Sequence, residues 1–346
     1  MSSAMQFYVS VILIYLGIDL IACWGLNLQY GVAGVVNLAF IAFQAVGAYT
    51  AAILSMGPAQ PQGYQTYFIG ASLPFPVPII CAVLVGGVLS GLVGLVALRR
   101  LRSDLQAIVL LVFSLVATDI ATNQVGFLNG SAGLSQIPLP LESLLNLTPL
   151  DYQWFYVGFT AVACLLAFWV VRRLTESPLG RAMRSVRDNE YAAAALGRNV
   201  FAMRMRALIV GGMIAAFSGA LLVPIVGAWA PSSWLYGETL VLFAALLLGG
   251  RGNNLGVALG AVLVPGLFLE GTSFIHYTAR PGFIDAVQWI VIGLLMLLVL
   301  WFRPQGLLPE RPRRVDLAPS LLPPSRWPWL ARNRLAERSE LAGRPE

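Results

Sequence analysis

From Leu20 to Leu98 the sequence contains no Asp, Glu, Lys or Arg. A water-facing domain surface needs charge at intervals far shorter than this, since about a quarter of the residues in soluble domains are charged. Over the whole chain only 11% are charged and 58% are hydrophobic, with a mean hydropathy of +0.76. Most of the surface must therefore face lipid. Crossing a hydrocarbon core of ~30 Å at ~1.5 Å per residue takes about 20 mainly apolar residues. Such stretches recur at 7–26, 31–55, 76–98, 105–126, 153–172, 205–227, 239–250, 254–271 and 285–302. The seventh closes on Gly249-Gly250 after only 12 residues, which suggests a half-span or a broken helix.

The predicted fold class is thus all-α, a polytopic transmembrane helical bundle of eight to nine spans occupying residues 1–302. Aromatic residues near several span ends (Tyr67, Phe68, Trp154, Trp229, Trp234, Trp301) fit interfacial belts. A β-barrel would need strands of ~10 residues alternating polar and apolar, and no such alternation is present. The first stretch lacks a basic leader and is closely followed by a second, so it is read as a retained helix.

All 22 basic residues are arginine. With nine spans the connections alternate sides, and every arginine except Arg280 falls on one of them, in 99–104, 172–206, at 251 and from 303 onward. The positive-inside rule makes that side cytoplasmic and places the N-terminus outside. Residues 303–346 form a basic, proline-containing tail, expected to be partly disordered and able to rest on anionic lipid.

Composition also excludes chemistry. Without lysine there is no G-x-x-x-x-G-K-[ST] phosphate loop, so any ATP hydrolysis belongs to another subunit. A single histidine, His276, rules out two-histidine zinc motifs and leaves a histidine-based hydrolase without support. Cys23, Cys81 and Cys164 lie apart within spans and are read as small packing residues. No catalytic residue, metal site, cofactor or nucleic-acid partner is predicted. Four carboxylates remain. Asp19, Glu270 and Asp285 are expected near span ends, facing headgroups or loops, with a buried proton relay as the alternative. Asp119, in the body of the fourth span, is the expected buried polar contact.

Charge reappears in force at 176–200, "ESPLGRAMRSVRDNEYAAAALGRNV". Ser177 and Pro178 suit the N-cap and first turn of a helix, and Gly197 suits its C′ position. Leu179, Met183, Val186, Ala193 and Leu196 recur at helical spacing, opposite Arg181, Arg184 and Arg187, with Asp188 and Glu190 following. The result is a short amphipathic helix. A membrane-surface helix, a solvated charged face and a docking element for a partner's groove all stay open on these grounds, although the acids among the arginines weaken a purely lipid-binding role.

This stretch resembles the pattern S-P-x-G-R-A-x-R-A-I-R-D-N-E-x-A-A-x-A-L-G-x-N-V of permease subunits from branched-chain amino-acid ABC importers. The resemblance continues in "GVAGVVNLAFIAFQAVGAYTAAIL" (31–54), "LRSDLQAIVLLVF" (101–113), "NGSAGLSQIP" (129–138), "LLLGGRGNNLGVALGAVLV" (246–264) and "WFRPQGLLP" (301–309). The longer, M-type member of the paired permeases fits best. Leu105-Gln106, Asn129 and Val257 depart from the usual residues.

The resemblance implies a subunit of a bacterial inner-membrane importer, with an H-type permease partner, two cytoplasmic ATPase subunits and an extracytoplasmic solute-binding protein. It makes 177–197 the coupling helix in an ATPase groove, with Pro178, Gly180, Arg181, Arg184, Arg187, Asp188, Glu190 and Gly197 as contact or shaping residues. Relatives in this class also carry urea, short amides or other amino acids. A stand-alone ion-coupled transporter using Asp119 or Glu270 is the competing class. For the translocation pathway, glycines and amides that break helices at mid-membrane nominate Gly31, Gly34, Asn37, Gly249, Gly250, Asn253 and Asn254, with Asp119. Plain close packing of helices explains the same glycines.

Overall fold

The computed structural model describes residues 3–59, 65–99, 103–142, 147–272 and 283–310, with only backbone for 3, 4, 103, 104 and 283–285. His276, Arg280, the side chain of Asp285 and the tail from 311 lie outside the described residues.

Eleven α-helices of six residues or more are distinguished among the described residues: α1 Ser3–Leu26, α2 Phe40–Ser55, α3 Val77–Ala97, α4 Ser103–Asn123, α5 Pro149–Glu176, α6 Pro178–Asp188, α7 Glu190–Ala195, α8 Val200–Val226, α9 Tyr236–Gly249, α10 Asn254–Ala261 and α11 Phe283–Phe302. Two wide π-helical turns prolong α1 through Asn27–Val32 and α10 through Val262–Leu269, the latter running on into Glu270–Thr272. Pro265 sits inside the second turn. Having no N–H to donate back along the helix, it removes one rung there.

Seven segments are long and apolar enough to cross a membrane (5–32, 77–97, 105–123, 149–176, 200–226, 231–249 and 254–272), and shorter apolar helices lie at 40–55 and 286–302. The chain is a multi-pass membrane protein whose apolar segments overlap the expected stretches, and two of them differ in form. The stretch expected as one span at 31–55 is split: residues 31–32 end the first segment, and helix resumes only at Phe40. Gly34 takes a left-handed backbone (φ +72°), Val35 N–H turns back to the Gln29 carbonyl at 2.9 Å, and the Asn37 carboxamide oxygen accepts from Ala39 N–H at 3.0 Å. The short seventh span is α9, 14 residues or ~21 Å of helix. A 3₁₀ turn at Pro231–Ser233 precedes it and completes a 19-residue apolar segment.

Packing follows the logic of lipid rather than water. The interior of the bundle is α1, α2 and α8, and backbones approach where glycine removes the side chain. A Cβ on Gly219 of α8 would strike the Gln44 carbonyl of α2, and one on Gly47 would strike the backbone of Ala216. Without a hydrophobic drive between helices in a bilayer, such small-residue contacts supply association. Large apolar side chains point outward instead: Val88 and Val96 of α3, Leu165 and Trp169 of α5, and Ile290 and Leu297 of α11 are all more than half exposed. The three cysteine thiols are free, and that of Cys164 donates to the Gly17 carbonyl, locking α5 to α1 at 2.9 Å. At the end of the bundle remote from α6, an antiparallel pair joins Leu134 to Trp229 and Ser135 to Ala228. Asn129, one of the departures from the family pattern, holds this region. Its amide donates to the Gly133 carbonyl at 2.6 Å and its oxygen accepts from Thr66 N–H at 3.1 Å.

Candidate functional site

Ser177 caps α6 as expected, its hydroxyl accepting from Gly180 N–H at 3.2 Å, with Pro178 in the first turn. Gly180 is packed so closely on the end of α5 that a Cβ would lie 2.5 Å from the Leu174 carbonyl. Gly197 takes the left-handed backbone (φ +78°) that a C′ residue requires. The expected single helix 177–197 is, however, two helices. Asn189 is extended (φ −156°, ψ 104°) and caps α7, its carboxamide accepting from Ala192 N–H at 3.0 Å. Asn favours such a break because its side chain replaces the missing backbone partner. Of the apolar stripe, Met183, Val186 and Ala193 are buried, whereas Leu196 is 83% exposed.

The three arginines do different things. Arg181 is exposed. Arg184 and Arg187 turn inward and share one carboxylate: Arg184 Nε lies 2.6 Å from one oxygen of Glu310, and Arg187 Nη2 lies 2.9 Å from the other. Arg184 also donates to the Thr175 carbonyl at 3.1 Å, and Arg187 to the Gly31 carbonyl and to Asp188 at 3.0 Å. Burial alone would lower the Arg187 pKa, but the carboxylates of Glu310 and Asp188 outweigh it and hold the guanidinium above its ordinary value. Glu190 pairs with the buried Arg204 at the start of α8 at 2.8 Å.

Around this pair of arginines the structure gathers residues nominated for the translocation pathway. Asn27 accepts from Gly252 N–H and donates to the Asn254 carboxamide, both at 2.9 Å. Asn254 in turn donates to the Thr175 hydroxyl at 3.1 Å, and its carbonyl accepts from the Trp24 indole at 3.0 Å. Asn253 donates to the Leu308 carbonyl at 3.2 Å. The 303–310 segment is stitched to the end of α9, with Leu307 N–H on the Leu248 carbonyl (2.8 Å) and Leu308 N–H on that of Gly249 (3.0 Å). Gly252 sits at φ +81°, and a Cβ there would lie 2.6 Å from the Glu310 carboxylate, so only glycine suits the position. Gly31, Gly34, Gly249, Gly250, Asn253 and Asn254 thus form one polar junction with α6, at the arginine-rich end of the bundle.

Asn37 is elsewhere, fully buried, donating to Gln29 at 2.9 Å while Gln29 donates to the Leu208 carbonyl at 3.1 Å. Asp119 corrects the sequence expectation outright: it is exposed and stands one turn from the end of α4, where Asn123 bonds back to its carbonyl. Helix α4 stops at Asn123 rather than 126, so this position belongs to a polar helix end.

Asp19 and Glu270 depart from expectation in the opposite sense. Asp19 lies well inside the continuous 5–32 helix. With Glu270 and Glu238 of α9 it lines a cavity of about 150 Å³ whose other walls include Tyr15, Gln44, Trp229 and Ser233 and the aliphatic side chains of Ile41, Leu222, Val241 and Leu242. Three helices distant in sequence supply the acids, so no local motif could have announced the grouping. Among the described residues no cluster of metal-ligand side chains is present.

Residues 8–300 match a protein family described as the permease component of branched-chain amino acid transport systems. The chain is 28% identical over 338 residues to a probable branched-chain amino acid transport permease, LivM, of Methanocaldococcus jannaschii, covering 88% of this chain and 94% of that one. It is 29% identical over 305 residues to the high-affinity permease LivM of Escherichia coli, covering 82% of this chain and 66% of the relative. A guanosine ABC transporter permease of Bacillus subtilis is more distant, 25% identical over 252 residues, with 70% and 74% covered. No solved structure matches.

Proposed function

The chain belongs to the branched-chain amino acid transport permease family, and from that membership we propose that it is the M-type transmembrane subunit of an ATP-driven importer of branched-chain amino acids. The match across residues 8–300 carries this assignment. The chain supplies half of a pathway completed by a paired H-type permease in a bacterial inner membrane. Solute arrives on an extracytoplasmic binding protein. Two ATPase subunits bind the arginine-rich end, which faces the cytoplasm, because a chain without lysine has no phosphate loop of its own. No step of bond chemistry falls to this subunit.

The geometry of α6 and α7 supports the coupling role. Their apolar stripe and two inward arginines fix them to the bundle, while Arg181, Asp188, Tyr191 (88% exposed) and Leu196 (83% exposed) are left outward. An aromatic and an aliphatic anchor beside charges are what a partner's groove takes up. When the ATPases close, displacement of α6 passes through Arg184 to the end of α5, through Arg187 to the turn after α1, and through Glu310 to α9.

The test is a triple variant, Arg181→Glu with Tyr191→Ala and Leu196→Ala. Membrane insertion should persist while ATPase copurification and ATP-driven leucine uptake in proteoliposomes fall about tenfold or more. Full retention of both would remove the docking assignment. Absence of ATP-driven leucine uptake by the wild-type complex would remove the importer itself.

A further inference from the structure

The junction and the cavity are joined along the chain by one short segment. At one end the Gly31 carbonyl accepts from Arg187 of α6; at the other, Ile41 and Gln44 in the first turns of α2 line the cavity. In between, the backbone leaves the helix while still buried, and buried peptide groups need partners. Side chains supply them. The Gln29 amide donates to the Leu208 carbonyl of α8 at 3.1 Å, its oxygen accepts from the Asn37 amide at 2.9 Å, and the Asn37 oxygen accepts from Ala39 N–H at 3.0 Å. Both side chains are fully buried. Gln29 has room only because α8 is bare at Gly211, where a Cβ would strike it. Gln29 therefore bolts the end of α1 to α8 and to the lead-in of α2 at once.

Three features suit this bolt to being opened. Helices α2 and α8 meet backbone to backbone, at Gly47 on Ala216 and at Gly219 on Gln44, so they shift together or not at all. The chain before α2 carries a π-turn and a left-handed Gly34 in place of regular helix, and π-turns gather at functional places. Arg187, on the proposed coupling helix, reaches both sides of that bend. It holds the Gly31 carbonyl, and its Cγ would lie 3.0 Å from a Cβ on Gly34. We propose that Gln29 is a positioning residue for transport, a releasable latch, resting on the importer assignment above. With its two hydrogen bonds made, the α2–α8 pair is held against α1. When α6 draws on Gly31 and Gly34 the bonds break and the pair pivots about Gly34, carrying the Ile41 and Gln44 wall of the cavity with it. Amide hydrogen bonds have a modest net worth, enough to hold one arrangement and little enough to open in every cycle.

The experiment uses the wild-type chain with the subunits that copurify with it, followed by hydrogen exchange and mass spectrometry. A peptide covering 33–41 contains Val35 N–H and Ala39 N–H, which donate to the Gln29 carbonyl and the Asn37 side chain. Its exchange should quicken about tenfold when a non-hydrolysable ATP analogue is added. Equal exchange with and without nucleotide overturns the latch, and this comparison needs no variant to fold. Gln29→Met keeps the length of the side chain and removes both bonds. In proteoliposomes it should raise ATP hydrolysis in the absence of the solute-binding protein, and cut the leucine taken up per ATP, each about tenfold. A residue that only stabilises the bundle would lower uptake and hydrolysis together; an unchanged ratio in the variant therefore also overturns the proposal. Leucine uptake by the wild-type complex, measured alongside, separates the two failures: uptake with no nucleotide response at 33–41 removes only the latch, and absent uptake removes the importer assignment.

Discussion

Glu310→Gln tests whether the chain's junction is held as the geometry implies. The wild-type carboxylate takes Arg184 at 2.6 Å and Arg187 at 2.9 Å, and the three side chains are 27%, 23% and 18% exposed. Fully exposed ion pairs are worth ~0–1 kcal/mol, and hydrogen bonds to charged groups ~1.5–3 kcal/mol. Partial screening puts each contact near ~1 kcal/mol and the pair near ~2 kcal/mol. At ~1.4 kcal/mol per factor of ten, local opening of the 303–310 segment should become about 30-fold more frequent. Opening frees two amides, Leu307 N–H and Leu308 N–H, from the carbonyls of Leu248 and Gly249. Hydrogen exchange followed by mass spectrometry therefore reads the loss directly, in a peptide covering 303–310. The gap between wild type and variant should shrink in 1 M salt, where the Debye length falls from ~10 Å to ~3 Å. Arg187 titrates above its ordinary value. At alkaline pH its contribution is therefore lost only as pH rises through that raised value, so wild-type protection should stay level from neutral into moderately alkaline solution. Unchanged exchange at Leu307 and Leu308 in the variant would refute the clamp.

Two further substitutions probe the bundle itself. Asn37→Ala strips a fully buried amide, leaving the Gln29 oxygen and Ala39 N–H without their partners; at ~1–3 kcal/mol for each orphaned group, the unfolding temperature in detergent should drop by several degrees, and no drop would mean the 33–39 turn is held by other contacts. Gly219→Ala places a Cβ against the Gln44 carbonyl, 2.8 Å from its carbon; overpacking of ~1–3 kcal/mol should lower stability by a comparable amount, and an unaltered melting curve would contradict so tight a crossing of α2 and α8.

What was legible in the sequence depended on how locally each feature is determined. Spans declare themselves because lipid demands a continuous run of apolar residues, so the positions of nine segments could be read directly. Caps at Ser177 and Gly197 were legible for the same reason, each needing only its near neighbours. The break near Asn37 was legible only as an alternative to close packing, and the one at Asn189 was not, since Asn occurs in helices and its capping choice depends on the turn being held elsewhere. Asp119 and Asp19 exchanged their expected roles because depth in a span was judged from its estimated ends. Helix α4 stops three residues short of the expected boundary, at Asn123, whereas α1 runs on six residues past Leu26 as a π-turn. Errors of that size decide whether a carboxylate is at a helix end or inside the bundle. The arginine pattern fixed a surface but not a direction: spacing at three residues put Arg181, Arg184 and Arg187 on one helix, and only Glu310, more than a hundred residues later, turned two of them inward.

The two regions of interest are joined by the same helices. The junction at the arginine-rich end grips α1 through Asn27 and the Gly31 carbonyl, α9 through Leu248 and Gly249, and α10 through Asn254. The cavity takes Asp19 from α1, Glu238 from α9 and Glu270 from the segment that continues α10. A displacement of α6 relative to the bundle cannot be absorbed at the junction alone, because packed helices move as rigid bodies between discrete arrangements rather than deforming continuously. It must therefore alter the relation of the three acids. Coupling of this kind is reciprocal by thermodynamic necessity: if movement at the junction alters the cavity, then a change made in the cavity must shift the junction by the same free energy. The 303–310 amides should accordingly exchange at a different rate in Asp19→Asn than in the wild-type chain. Identical exchange in the two proteins would mean the two regions work independently.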